Sequence, residues 1–118
     1  MPIQSAALDA GDVLWIDFGK PLGHEQGGRR PAILLTPRDY NMRSSVLVVC
    51  PITRRQRGWP FEVALPATAV VRGVVLVDQV KVIDPAARPV GYGGRLPREV
   101  LLEVQAKLGA LLCFGVAQ

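Results

Sequence analysis

The sequence predicts a mainly β protein: a small barrel-like sheet of antiparallel strands closed by a C-terminal amphipathic helix. Three observations carry that reading. Short β-rich runs recur between Gly- and Pro-bearing turns from Gly11 to Ile83. The hydrophobic period becomes helical after Pro97. The 118 residues, 49% hydrophobic and 20% charged, suit a single folded domain over residues 1–118 with no internal boundary. That balance also excludes a disordered or collagen-like chain.

Taken in order, Gly11 to Phe18 (GDVLWIDF) alternates, with Val13, Trp15 and Phe18 against Asp12 and Asp17, and reads as a strand. The following GKPLGHEQGG is too long for a tight hairpin and too irregular for a helix, so a mobile loop over one end of the sheet is expected. Pro31 to Thr36 and Ser45 to Ile52 are two more strands, and Pro37, Asp39 and Asn41 between them favour a turn or a single helical turn. After TRRQRG, Trp59 to Leu65 is strand-like, with Pro60 near its start where a missing donor is tolerated. Val74 to Val77 and Val80 to Ile83 complete the expected β content, with a bulge or bend at Asp78 and Gln79. The helix sets Val100, Leu101, Val104, Leu108, Leu111 and Leu112 on one stripe, starts at Pro97 within a residue or two, and stops at Gly115.

Fourteen basic residues face ten acidic ones, and eleven of the fourteen are arginine, a side chain that grips phosphate with a planar fork and stacks on bases. That favours a polyanionic partner, nucleic acid above all. The most informative stretch is His24 to Leu35 (HEQGGRRPAILL), where a glycine-rich loop meets Arg29 and Arg30 at a strand entrance. Pro31 biases the residue before it toward extended backbone, so Arg30 is held in place as a phosphate reader. The run Arg54 to Arg57 suits a rail for a nucleic-acid backbone, and Trp15, Phe18 and Trp59 are candidates either for base stacking or for packing. The two cysteines, Cys50 and Cys113, sit in apolar runs and read as reduced core residues. His24 is the sole histidine, and no His/Cys group has metal-ligand spacing, so no metal or other cofactor is expected. With no signal-peptide pattern at its N-terminus and no apolar stretch of the roughly 18–20 residues a span needs, the chain reads as cytoplasmic, with no membrane partner.

In this order, GDVLWIDF, GHEQGGRRPAILLTP, VCPIT, RGWPFEV, DQVKVID and the terminal helix resemble the MazF/PemK/Kid family of toxin endoribonucleases. The likeness runs from about Gly11 to Leu112 and is most specific at Glu25 to Pro31 and Asp78 to Asp84. It implies an SH3-like, CcdB/PemK-type barrel that works as a homodimer, cuts single-stranded RNA at short sequences without a metal, and is silenced by a cognate antitoxin. It also implies Arg30 and Thr53 as catalytic residues and Glu25 as an important loop acid. Arg29 stands where the family often has histidine, and Arg54 and Arg55 replace small polar residues, departures that bear on the sequence recognised.

Metal-free RNA cleavage uses the substrate's own 2′-hydroxyl as nucleophile, so the protein must accept its proton, stabilise a phosphorane and protonate the leaving 5′-oxygen. Arg30 suits the phosphorane clamp, Thr53 adds a hydroxyl donor, and Glu25 is a candidate base ahead of His24. RNA-binding candidates are Lys20, His24, Gln26, Gly28 and Arg29 in and beside the loop, Arg54, Arg55 and Arg57 in the basic run, and Gln79, Lys81 and Arg88 on neighbouring elements. Two competing readings are a gyrase-inhibiting toxin on the same barrel and a nucleic-acid-binding module that cuts nothing.

Overall fold

A computed structural model describes residues 7–114. Among the described residues, seven strands and two α-helices follow the order β1 (Asp12–Asp17), β2 (Arg29–Leu34), α1 (Arg38–Arg43), β3 (Leu47–Thr53), β4 (Glu62–Ala64), β5 (Val74–Leu76), β6 (Lys81–Ile83), β7 (Val90–Arg95) and α2 (Arg98–Leu111). All pairings are antiparallel, in the order β4-β5-β3-β2-β1-β7, with β6 also on β3. This is the mainly β sheet with a C-terminal helix that the sequence predicts. The expected bend after β5 is a single 3-10 turn, Val77–Gln79, and the turn before β3 is the short helix α1.

The central strands are buried on both faces, which departs from the apolar/polar alternation expected of the first of them. Val13, Ile33, Cys50 and Ile52 join one core with Val75, Leu96, Val100 and Val104. Leu14, Ile16, Phe18, Ala32, Leu34, Leu47, Val49 and Ile83 form a second core with Leu8. The period of two sends successive side chains to opposite cores. Phe18 is therefore committed to packing, at 7% exposure, and is unavailable for base stacking.

Strand β7 (VGYGGR) is the element that the sequence analysis missed. Three glycines in six residues argue against a strand on propensity. The reason for one of them is steric: a Cβ on Gly93 would lie 2.9 Å from Trp15 Cδ1 and Nε1 and from Val13 Cγ1, so only glycine lets β7 close on β1. Arg95 Nη1 then donates to the buried Asp12 Oδ1 at 2.8 Å and fixes the pair.

Helix α2 packs Val100 and Val104 into the first core, each burial worth roughly 1.5–3 kcal/mol, with Leu101 and Leu108 at its margin. Lys107 Nζ reaches the Glu62 carbonyl at 2.8 Å and ties the helix to β4. Leu112, at the end of the expected stripe, is exposed instead. The helix stops before the expected position: Cys113 adopts φ 63°, and Phe114 N–H returns to the Gly109 carbonyl at 2.8 Å. Gly115, the expected stop, lies outside the described residues. Helix α1 lacks a local cap, and Asp9 supplies one from afar by accepting Arg38 N–H at 2.9 Å; that bond, with a second from Ala10 N–H, holds the Asp9 carboxyl below its usual range.

The cysteines also part company. Cys50 is fully buried, and desolvation, aided by the charge of Asp78, pushes its thiol up to about 12, whereas Cys113 is exposed and not a core residue. A thiol raised in the folded state contributes stability that is intact below its unfolded value near 9 and is lost as pH rises toward 12. At pH 8 a thiol reagent should therefore titrate Cys113 in the native protein and reach Cys50 only after unfolding; rapid native labelling of both would contradict this core assignment.

Candidate nucleic-acid interface and active site

The site forms where β3 changes partners. Along one edge β3 pairs with β2, Ile33 facing Cys50 and Ala32 facing Pro51, and just beyond the end of that pairing Arg30 and Thr53 line one cavity. Along its other edge β3 pairs with β6 from Leu47 to Val49 and with β5 from Ile52 to Thr53. Pro51, which has no N–H to donate, sits at that switch. Thr53 is buried at the strand end, and its Oγ1 accepts Arg55 N–H at 3.2 Å. Gly73 faces it from β5's leading turn at φ +122°, where an added Cβ would collide with the Thr53 carbonyl.

Two cavities flank Thr53. One, of about 670 Å³, is lined by Trp15, Arg29, Arg30, Ile52, Thr53, Arg54, Arg55 and Arg72, together with Pro31 and Ala69 to Val71. It holds five arginines and no acid. Arg30 Nε donates to the Gly27 carbonyl at 2.9 Å, so the loop aims the guanidinium, and its terminal nitrogens have no acidic partner among the described residues. Arg29 lies with its guanidinium 5.8 Å above the Trp15 ring, a cation–π contact that braces a second cation at the rim.

The other cavity, of about 530 Å³, is lined by Glu25, Glu62, Asp78, Arg55, Arg57 and Trp59 among others, with Thr53 shared. Glu25 sits 3.6 Å from Lys81 Nζ and is half exposed. Glu62 is buried, and its carboxylate accepts N–H groups of Arg57 and Gly58 at 3.0–3.2 Å, which shapes the basic turn.

The β1–β2 loop, expected to be mobile, carries hydrogen bonds across its base and within its turn. Gly28 N–H donates to the Gly19 carbonyl at 2.7 Å, and Glu25 N–H to that of Leu22 at 3.1 Å. Gln79, expected on RNA, spends its amide on this loop: Oε1 accepts Gln26 N–H at 2.9 Å and Nε2 donates to the His24 carbonyl at 3.3 Å.

The predicted residues thus divide. Arg29, Arg30, Thr53, Arg54 and Arg55 share the cationic cavity, while His24, Glu25, Gln26, Thr53, Arg55, Arg57 and Gln79 line the other. Lys20, Gly28, Lys81 and Arg88 line neither; Lys20 and Gly28 are exposed, Lys81 holds Glu25, and Arg88 Nη1 donates to the Asp17 carbonyl at 3.1 Å, closing the end of β1. Arg72, Glu62 and Asp78 were missed. A lone Arg before Gly73 carries no run of charge, and an acid within FEVAL reads as the solvent side of a strand.

Fold and site together define a small basic antiparallel β protein whose strand ends gather arginines, side chains suited to phosphate. Residues 9–112 match the family model of the PemK-like, MazF-like toxin of type II toxin–antitoxin systems. The endoribonuclease toxin MazF of Escherichia coli K12 is 39% identical over 104 residues, 88% of this chain and 93% of that protein. Endoribonuclease PemK of Escherichia coli is 31% identical over 113 residues, 92% of this chain and 85% of that protein. The crystal structure of MazF from Deinococcus radiodurans matches with a TM-score of 0.83 at 46% identity, covering 90% of this chain and 96% of that one. A MazE–MazF structure from the same organism matches at 0.80 and 45%, covering 92% and 97%. The chain belongs to the PemK-like, MazF-like family of toxins.

Two outcomes test how the site is held. Gly73→Ala should destabilise the protein by about 2 kcal/mol or more in urea unfolding, because both the backbone angle and the Thr53 carbonyl oppose a side chain; an unchanged midpoint would refute the close approach. Gln79→Ala should speed hydrogen exchange at the Gln26 amide by about tenfold while global stability moves by less than about 1 kcal/mol. Unaltered exchange would remove Gln79 as the loop's clamp.

Proposed function

We propose that this endoribonuclease toxin cuts single-stranded RNA at short sequences without a metal, in the cytoplasm, as a homodimer restrained by a cognate antitoxin. The antitoxin reading draws on the MazE–MazF structures of the relative, and the homodimer and cytoplasmic setting on the family resemblance. Relatives that are named endoribonucleases leave the gyrase-blocking and purely binding alternatives without support.

One observation carries the chemistry: Arg30, aimed by the Gly27 carbonyl, opens with Thr53 into a cavity of five arginines and no acid. A phosphate drawn there has its non-bridging oxygens met by the guanidinium fork, whose charge is permanent. The 2′-oxygen attacks phosphorus as Glu25 accepts its proton. Arg30 and the Thr53 hydroxyl stabilise the phosphorane. The bond from phosphorus to the 5′-oxygen then breaks, and that oxygen takes a proton from water, whose hydroxide recovers the proton held by Glu25. The products are a 2′,3′-cyclic phosphate and a 5′-hydroxyl. DNA, lacking the 2′-hydroxyl, is bound but not cut.

With chelator present, purified protein should fragment a long unstructured RNA, and Arg30→Ala should lower the rate by about a hundredfold or more with an unchanged unfolding midpoint. Intact RNA with the folded wild type, or full activity in Arg30→Ala, would overturn this reading.

A further inference from the structure

We propose that the cavity lined by Trp59 and Asp78 is a nucleobase subsite for the nucleotide adjoining the scissile phosphate, one that selects a base bearing an exocyclic amino group. The inference rests on the RNA-cutting reading and deepens it.

The two cavities meet at Thr53 and Arg55 yet differ in charge. One gathers five arginines; the other sets Glu25, Glu62 and Asp78 against Arg55 and Arg57 and adds an indole. A phosphate is drawn to the first and repelled by the carboxylates of the second, whereas a neutral base fits the second. Because both open on Thr53, a nucleotide whose phosphate occupies one can place its base in the other.

Trp59 is 51% exposed, an apolar face left open inside a cavity. The ring is not free to turn. Its Nε1 donates to Asp78 Oδ2 at 3.0 Å, and it leans on Phe61 with centroids 6.0 Å apart at 50°. An aromatic plane fixed before binding is what stacking an unpaired base requires, since little ordering remains to be done.

Asp78 then reads the edge of that base. Oδ2 is taken by the indole, and Oδ1 accepts no hydrogen bond among the described residues. Glu62, by contrast, already receives the N–H groups of Arg57 and Gly58. A carboxylate oxygen only accepts, so it favours the amino groups of adenine, cytosine or guanine. Uracil has no exocyclic amino group, and its one edge donor, N3–H, is flanked by two carbonyl oxygens that the carboxylate repels.

The test is to map the ends produced from a randomised RNA pool by the wild type, Asp78→Asn, Trp59→Ala and Trp59→Phe. The wild type should show one position beside the cut enriched in amino-bearing bases. In Asp78→Asn the amide oxygen still accepts the indole N–H while the amide nitrogen donates outward, so preference at that position should move toward uracil by about tenfold. Trp59→Ala should lower kcat/KM on one optimal oligonucleotide by about tenfold, with Trp59→Phe restoring most of it. If the wild type cuts and both Asp78→Asn and Trp59→Ala keep its sequence preference and efficiency, the subsite is wrong while the RNA-cutting reading stands. If the folded wild type leaves the pool intact, the reading falls and the subsite with it. Asp78 is exposed, so its variant tests the proposal even where Trp59→Ala fails to fold.

Discussion

The pairing of β2 with β3 is the constraint on which the rest of the molecule depends. Its pairing from Ala32 to Leu34 carries the two strands on to one cavity, where Arg30 and Thr53 meet from positions apart in sequence. A slip by one residue would turn Arg30 to the other side and move Ala32 and Leu34 into the opposite core, in the place of Ile33. Both cores are close-packed, so side chains of the wrong size oppose that exchange. The change of partner along the other edge of β3 then leaves room at the strand end, and the cavities occupy it.

The loop between β1 and β2 does its work through backbone groups. The Gly27 carbonyl aims Arg30, and Gln79 holds the loop at His24 and Gln26, on either side of Glu25. Lys81, near the Glu25 carboxylate, adds an exposed contact of small worth, so position comes mainly from the amide clamp. One residue from the 3-10 turn thereby couples the β1–β2 loop to the segment that joins β5 to β6, and the turn leading into β5 carries the wall facing Thr53.

Much of this was legible in the sequence because it depends on local chemistry. Pro31 after paired arginines marks a strand entrance, and β2 begins at Arg29. Pro97 and the Val100/Val104 spacing mark α2. What stayed hidden depends on who the neighbours are. The glycines of β7 read as a turn until Gly93 is seen against Trp15. Phe18 and Cys113 belong to apolar runs alike, and only burial separates the packed ring from the exposed thiol. Gln79 reads as a free polar side chain until the loop 53 residues before it folds onto its amide. Asp78 opens a stretch that carries the family resemblance, yet its partner stays hidden, for that partner is the indole of Trp59 across a gap of 19 residues.

On the proposed function, the split in charge across Thr53 would also account for a preference between single and double strands without any contact dedicated to it. A duplex offers phosphates readily, and the arginine cavity alone would bind one. Seating a base against Trp59, however, requires an edge and a face that pairing and stacking hide, and extruding a paired base costs a few kcal/mol. An unpaired strand bears little of that cost. The arginines thus supply attraction that is indifferent to sequence and weakens with salt. On the same proposal, selection between strand states would lie with the acidic, aromatic cavity. The 2′-hydroxyl adds the final restriction, since a single strand of DNA satisfies both cavities and still lacks the nucleophile.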